Sequence, residues 1–181
     1  MPDGAFEVSV VTPESELLHT EARAVVLRSS DGDLTVLDGH TALITDVVPG
    51  DVRVDRAEGD PVHLAVHGGY LQVETGEGVA GADGRATRAT LLAGTAELAE
   101  QIDVARAERA RADAEARVDE LRQAAGRAGG PGSGAAAGGG PAGGGQGAEG
   151  EGATPGDLGL AEAEAALRRA QVRLEVAGAS T

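Results

Sequence analysis

Residues 32–54, GDLTVLDGHTALITDVVPGDVRV, decide the fold. Two apolar runs, 34–37 and 43–48, are separated by Asp38-Gly39-His40, a turn-forming triplet. Pro49-Gly50 then breaks the chain, and Val52 and Val54 follow in alternation with charged residues. The order is strand, tight turn, apolar segment, turn, strand. No catalytic pattern falls in this stretch or elsewhere in the chain. That points to a protein that works by fitting against something.

The same grammar extends in both directions. Phe6, Val8 and Val10 alternate with polar residues, the period of a half-buried strand, and Pro13 ends the run. Leu17-Leu18 and residues 22–27 read as two further strands, and Ser30-Asp31-Gly32 as a turn. Downstream, Val62, Leu64 and Val66 alternate, His67-Gly68-Gly69 turns the chain, and Tyr70, Leu71 and Val73 return it. Residues 86–92 form the last strand candidate. Short strands between such frequent glycines and prolines predict a small antiparallel sandwich or a flattened barrel. Nothing before residue 95 has the helical period that a parallel fold's crossovers need.

At Thr95 the period changes. Residues 95–125 are rich in Ala, Glu, Arg and Leu, all good helix formers. Leu98, Ile102, Ala105, Ala112 and Ala116 mark one shallow stripe. Ala107, Ala110, Ala114, Val118, Leu121 and Ala125 mark a second. Residues 126–153 are a Gly/Ala/Pro-rich run that offsets little ordering entropy by burial, so a disordered linker is expected there. A second helix is expected over 154–178, with Thr154 as N-cap, Pro155 at the first helical position and Asp157 completing a capping box. Leu160, Ala163, Leu167, Ala170, Leu174 and Ala177 repeat along it at a 3,4 spacing, and Gly178 is a natural stop.

Composition narrows the function. The chain has 181 residues and a formal net charge of -15, the wrong sign for nonspecific nucleic-acid binding. Nine of its fifteen arginines lie after residue 95, so the front is acidic and the rear mixed. Without cysteine there is no disulfide frame and no thiolate metal site. The four histidines, at 19, 40, 63 and 67, show no ligand-like spacing, so no metal site is expected. No stretch reads as a signal peptide or a membrane span. One Phe, one Tyr and no Trp leave the core to Val, Leu, Ile and Ala.

Several segments together are familiar. Gly32-Asp33-Leu34-Thr35-Val36-Leu37, Gly39-His40, Leu43-Ile44-Thr45, Pro49-Gly50, His67-Gly68-Gly69-Tyr70-Leu71-Gln72-Val73 and the IDVARA core of residues 96–107 resemble, in order and spacing, the epsilon subunit of bacterial and chloroplast F-type ATP synthase. The mitochondrial counterpart of that subunit is called delta. The resemblance covers about the first 120 residues. It implies an α+β fold, an N-terminal flattened antiparallel β-sandwich over residues 1–92 followed by two C-terminal helices. It also implies a non-catalytic rotor subunit that binds the gamma subunit and the c-ring beneath the alpha/beta catalytic hexamer. Such a subunit couples proton flow to ATP synthesis and restrains ATP hydrolysis. Its expected place is peripheral, on the cytoplasmic face of the cell membrane within the F1 sector. Two departures stand out. Ala42 replaces a proline common in the family, and the long glycine-rich linker replaces a short turn between the helices.

Site candidates follow from the resemblance. Asp33, His40, Thr41, Ala42 and Tyr70 are implied as contacts to the c-ring or gamma. Read from the residues alone, Asp33 and His40 are ordinary turn residues, and Tyr70 is a core residue with a wet hydroxyl. Ile102, Asp103 and Arg106 lie in a segment similar to the family's I/L-D-x-x-R-A motif, which binds ATP in some bacterial members. Asp103 would accept from an adenine amino group and Arg106 would approach phosphate. The plainer reading is a pair of solvated helix residues. No cofactor is required, and ATP is the one regulatory ligand candidate. Arg168, Arg169 and Arg173 flank the second helix's stripe and are implied as beta-subunit contacts, against the alternative of a solubilising row. Gly68-Gly69 lacks the strand–GxGxxG–helix setting of a dinucleotide site. Two competing readings of the whole chain are an unrelated acidic β-sandwich adaptor and a small enzyme.

Overall fold

The computed structural model describes residues 4–76, 86–128 and 155–179. Among them nine strands precede two helices. The strands are β1 Phe6–Val11, β2 Glu16–Ser29, β3 Gly32–Leu37, β4 Leu43–Val47, β5 Gly50–Arg56, β6 Val62–Val66, β7 Gly69–Gly76, β8 Ala86–Ala93 and β9 Ala96–Leu98. A 3-10 turn at Ala99–Gln101 leads to α1 Val104–Ala128, and α2 is Pro155–Ala179. Hydrogen bonds run through the order β4-β7-β8-β1-β2-β5-β6-β9, with β3 on β2.

The long strand β2 explains the two layers. Its first half pairs with β1, and its second half pairs with β3 and β5. A bulge between Ala22 and Ala24 in the β5 ladder marks the change. A bulge bends a strand and increases its twist, which carries β2 from one layer into the other. The sequence pattern divides this strand in two at His19-Thr20-Glu21. Those polar residues are nonetheless paired, with Ser9, Val8 and Glu7 of β1. Ladder bonds are made by the backbone, so a polar stretch can hold the register.

Every pairing among the described strands is antiparallel except β1 with β8. The sandwich is therefore mixed rather than purely antiparallel. The long chain path between these two strands meets the need of a parallel pair for a long connection. Between the layers Phe6, Val10, Val25, Val36, Val52, Val54, Leu64, Leu71 and Leu91 are fully buried. The core rests on aliphatic residues, with Phe6 as its aromatic member.

The turn at His67-Gly68-Gly69 needs both glycines. Gly68 has φ +109, a conformation that side chains disfavour. A Cβ at Gly69 would lie 2.2 Å from the Leu92 carbonyl oxygen. The backbone of β7 thus approaches β8 more closely than any side chain allows.

Helix does not begin at residue 95 as the composition predicts. Residues 96–98 add β9 to the edge of β6, with Leu98 opposite Leu64 and Ala96 opposite Val66. An unpaired sheet edge outweighs the helix propensity of Ala, Glu and Leu there. α1 starts only after Asp103, whose Oδ1 accepts from the Arg106 amide at 2.9 Å. That is an N-cap bond to the third helical residue.

The helices pack together and run antiparallel. Arg122 reaches Glu164 at 2.9 Å, and Gly159 lies beside Leu121. Ala107, Ala114 and Val118 of α1 and Ala163 and Ala170 of α2 are buried. The stripe through Ala105, Ala112 and Ala116 is exposed instead, while Leu98 and Ile102 belong to β9 and the approach to α1. The second helix also packs on the sandwich. Val172 and Val176 join Ala65 of β6 and Ile102 in a small apolar cluster. α1 runs on to Ala128, so residues 126–128, expected in the disordered linker, are helical instead; the rest of that linker and the second helix's Thr154 cap lie outside the described residues.

Candidate functional site

The five residues expected to meet the rotor do not form one cluster. Asp33 lies at the β2–β3 hairpin, opposite Arg28 in the ladder. Arg28 Nε donates to Asp33 Oδ1 at 2.7 Å, and this bond holds the Asp33 carboxyl below the usual carboxylate range. Close by, Asp46 accepts from the Ser30 amide at 3.2 Å and from the Ser30 hydroxyl at 2.9 Å. Tyr70 pairs with Asp46 across β4 and β7, so it belongs to this same end of the sandwich.

His40, Thr41 and Ala42 stand past the other end of β3. From Asp33 to Leu37 alone is about 13 Å of strand at the usual rise per residue. The Gly39 amide donates to Thr87 Oγ1 at 2.8 Å, which ties this turn to the start of β8. His40 Nδ1 lies 2.8 Å from the Thr41 carbonyl and donates to it. Asp33 and His40 therefore mark opposite ends, where the sequence places them in one contact region.

The alternative of a buried Tyr70 is overturned. Tyr70 is 61% exposed, beside Leu92 at 48% and Ile44 at 72%. Tyr70 pairs with Leu92, and Ile44 pairs with Gln72, two residues further along β7. Side chains on a strand alternate in direction. With Leu71, Val73 and Leu91 inside, the outer face of β4-β7-β8 carries Ile44, Tyr70 and Leu92 together. Sequence reading missed Ile44 and Leu92. The available signal was the unbroken apolar pairs Leu43-Ile44 and Leu91-Leu92, in which one member of each must face outward.

A second feature is a cleft of about 370 Å³ between β9, α1 and α2. It is lined by Glu97, Gln101, Asp103, Arg106 and Arg173, with Ala107 and Ala110 as its apolar wall. Asp103 has one oxygen occupied in capping α1. Arg106 lines the cleft and forms no ion pair among the described residues. Arg173 is turned inward, hydrogen-bonded through Nε to both Glu97 carboxylate oxygens. That bond holds the Glu97 carboxyl below its usual range, against the opposing effect of burial. Ile102 points away, into the cluster with Val172 and Val176. Arg168 and Arg169 are exposed on α2.

Among the described residues no group of His, Cys, Asp or Glu could hold a metal ion. No helix among them is long and apolar enough to cross a membrane.

The chain is similar to known proteins in sequence and in fold. A family model described as "ATP synthase, Delta/Epsilon chain, beta-sandwich domain" matches residues 5–80. The chain is 41% identical over 118 residues to the ATP synthase epsilon chain of Desulforudis audaxviator, a match covering 65% of this chain and 77% of that one. It is 39% identical over 114 residues to the epsilon chain of Priestia megaterium, covering 63% and 76%. In fold it is similar to a chain of the Euglena gracilis mitochondrial ATP synthase (OSCP/F1/c-ring, rotational state 1). The TM-score is 0.63 at 16% identity, over 96% of this chain and 81% of that one.

Proposed function

The chain belongs to the epsilon-chain family of ATP synthases and is a non-catalytic central-stalk subunit of the F-type enzyme, and from this we propose how its surfaces are used. The outer face of β4-β7-β8 seats the sandwich on the gamma subunit. The observation that carries this is the grouping of Ile44, Tyr70 and Leu92, three large exposed side chains on one face. Such a patch costs solubility unless a partner covers it, and aromatic and aliphatic anchors are what a protein interface buries at its centre. Asp33, Arg28 and Asp46 form a polar rim at one end of that face, suited to polar loops of the c-ring. Seated so, the subunit turns with the rotor and couples proton flow to ATP synthesis. Its place is then peripheral, on the cytoplasmic face of the membrane, within reach of the alpha/beta hexamer.

The helices supply regulation. Arg168 and Arg169 on the exposed side of α2 suit acidic residues of the beta subunits, and contact there restrains ATP hydrolysis. Arg173, tied to Glu97, is withdrawn from that surface while α2 is docked. The cleft at Arg106 offers a cation for the phosphates of a regulatory ATP, with the free oxygen of Asp103 as acceptor for the base.

A pull-down with the tagged full-length chain tests the seating. The wild-type chain should recover gamma from a lysate of its own cells, and a chain carrying Tyr70→Ala and Leu92→Glu should not. Equal recovery by both would remove this face from the interface.

A further inference from the structure

His67 lies at the junction of the sandwich and α2, and its surroundings do not suit a charged ring. It follows β6, the strand on which α2 packs, and its amide donates to the Thr95 carbonyl at 3.0 Å. Both ring nitrogens are shielded from solvent, and neither has a hydrogen-bond partner. A neutral imidazole has one donor and one acceptor, and a charged one has two donors. Leaving such groups buried without partners is costly, and more so when they carry charge.

The charged groups that bear on this ring are few. From α2 come Arg173 and Arg169, and from β9 comes Glu97. Arg106 of α1 acts on Glu97 in turn. Since Glu97 is already hydrogen-bonded to Arg173, the ring feels the charge of Arg173 and, more weakly, of the exposed Arg169, against one carboxylate that is already paired. A proton on this half-buried ring would face a net like charge, with both nitrogens shielded from solvent.

We propose that His67 is a proton-operated latch: while its ring is neutral, α2 stays docked on the sandwich, and its protonation loosens that docking. Burial, then Arg173, holds the docked imidazole below the usual histidine value, with Arg169 adding and Glu97 opposing. Once α2 lifts away, the ring regains water and loses both arginines, so it binds protons more readily. The docked state thus binds fewer protons than the undocked one. Docking is then strongest above the undocked value, near 6.5 for an unperturbed histidine, and weakens as pH falls through it. The effect levels off below the docked value. Between the two, one proton changes the opening equilibrium by up to about tenfold per pH unit.

Hydrogen exchange on the full chain tests this, read at the amides of residues 172–177 and corrected for intrinsic exchange rates. Between pH 7.5 and 5 their protection should fall severalfold in the wild type and stay flat in His67→Gln. Parallel pH dependence in both chains, or none in the wild type, would overturn the latch. The NMR titration of the His67 ring gives a second reading that does not depend on that variant folding well. In Arg169→Gln its midpoint should rise, because one of the two cations is gone, and the loss of α2 protection should move with it. A midpoint that stays in place, or that moves without the protection, would equally overturn the latch.

Discussion

Arg173 of α2 donates through Nε to both carboxylate oxygens of Glu97 on β9, at 3.0 Å and 3.1 Å. The two residues are 76 positions apart, and their bond fastens the last helix to the last strand of the sandwich. Both side chains are about two-thirds shielded, so solvent screens the pair only in part. Arg173→Gln should therefore weaken α2 docking by about 1 kcal/mol, below the range for a buried charged hydrogen bond. Exchange protection of residues 172–177 would report it. The sign with pH follows from Glu97, whose carboxyl is held low in the docked state. Its contribution is present above the ordinary carboxylate value and is lost as pH falls through the docked one. Arg173→Gln should abolish that acid step.

Asp103 acts on α1 through its cap. Asp103→Ala should cost about 1 kcal/mol of stability, while Asp103→Asn or Asp103→Ser should cost less, because both keep an acceptor at the cap. Urea unfolding of the three variants measures this. If the cap is its whole role, Asn and Ser will also preserve any ATP affinity.

Arg106 separates nucleotide binding from helix structure. It lines the cleft and makes no ion pair among the described residues, so Arg106→Ala should leave helicity and melting almost unchanged. Titration calorimetry with ATP should show heat for the wild type and at least a tenfold weaker affinity for the variant. Equal affinity in both would exclude Arg106 from the site, and absence of heat in the wild type would remove the nucleotide role.

Among the described glycines, Gly69 leaves the least room for a side chain. The methyl of Gly69→Ala would need to stand 2.2 Å from a backbone oxygen that has no side-chain freedom to yield. We expect a loss of about 3 kcal/mol or more, at the top of the overpacking range. Gly68→Ala, whose methyl would meet the Val47 carbonyl oxygen at an ordinary 3.7 Å but whose φ is +109, should lose about 1–3 kcal/mol, mainly through backbone strain. Thermal melts of the two variants would rank them.

Deleting residues 154–181 should raise ATP hydrolysis by the purified synthase while leaving assembly intact. The sandwich core does not include α2, so seating should survive. Unchanged hydrolysis across ATP concentrations and proton-motive force would leave α2 a structural role only.

Much of the fold is legible in residue order. Val52 and Val54, Leu64 and Val66, and Leu71 and Val73 alternate as strands must, and all six are buried. What escapes the sequence depends on partners distant in the chain. β2 keeps its register through a polar middle because β1 lies alongside it. Ala96, Glu97 and Leu98 favour helix locally, yet β6 offers an open edge. Val172 and Val176 lie off the regular Leu/Ala stripe because α2 has two neighbours, α1 and the sandwich, rather than one. The site shows the same division. Asp33 and His40 are close in sequence and sit at opposite ends of β3, whereas Asp46 and Tyr70 are far apart in sequence and face each other.

The β4-β7-β8 face is the surface by which we propose this subunit joins the rotor. Calorimetric titration of the purified full chain with purified gamma subunit measures it directly. The wild type should bind, and Tyr70→Ala with Leu92→Glu should weaken binding at least a hundredfold, as loss of a central anchor does, with the melting temperature of the chain little changed. Wild-type affinity in that double variant would show that gamma binds elsewhere on the chain.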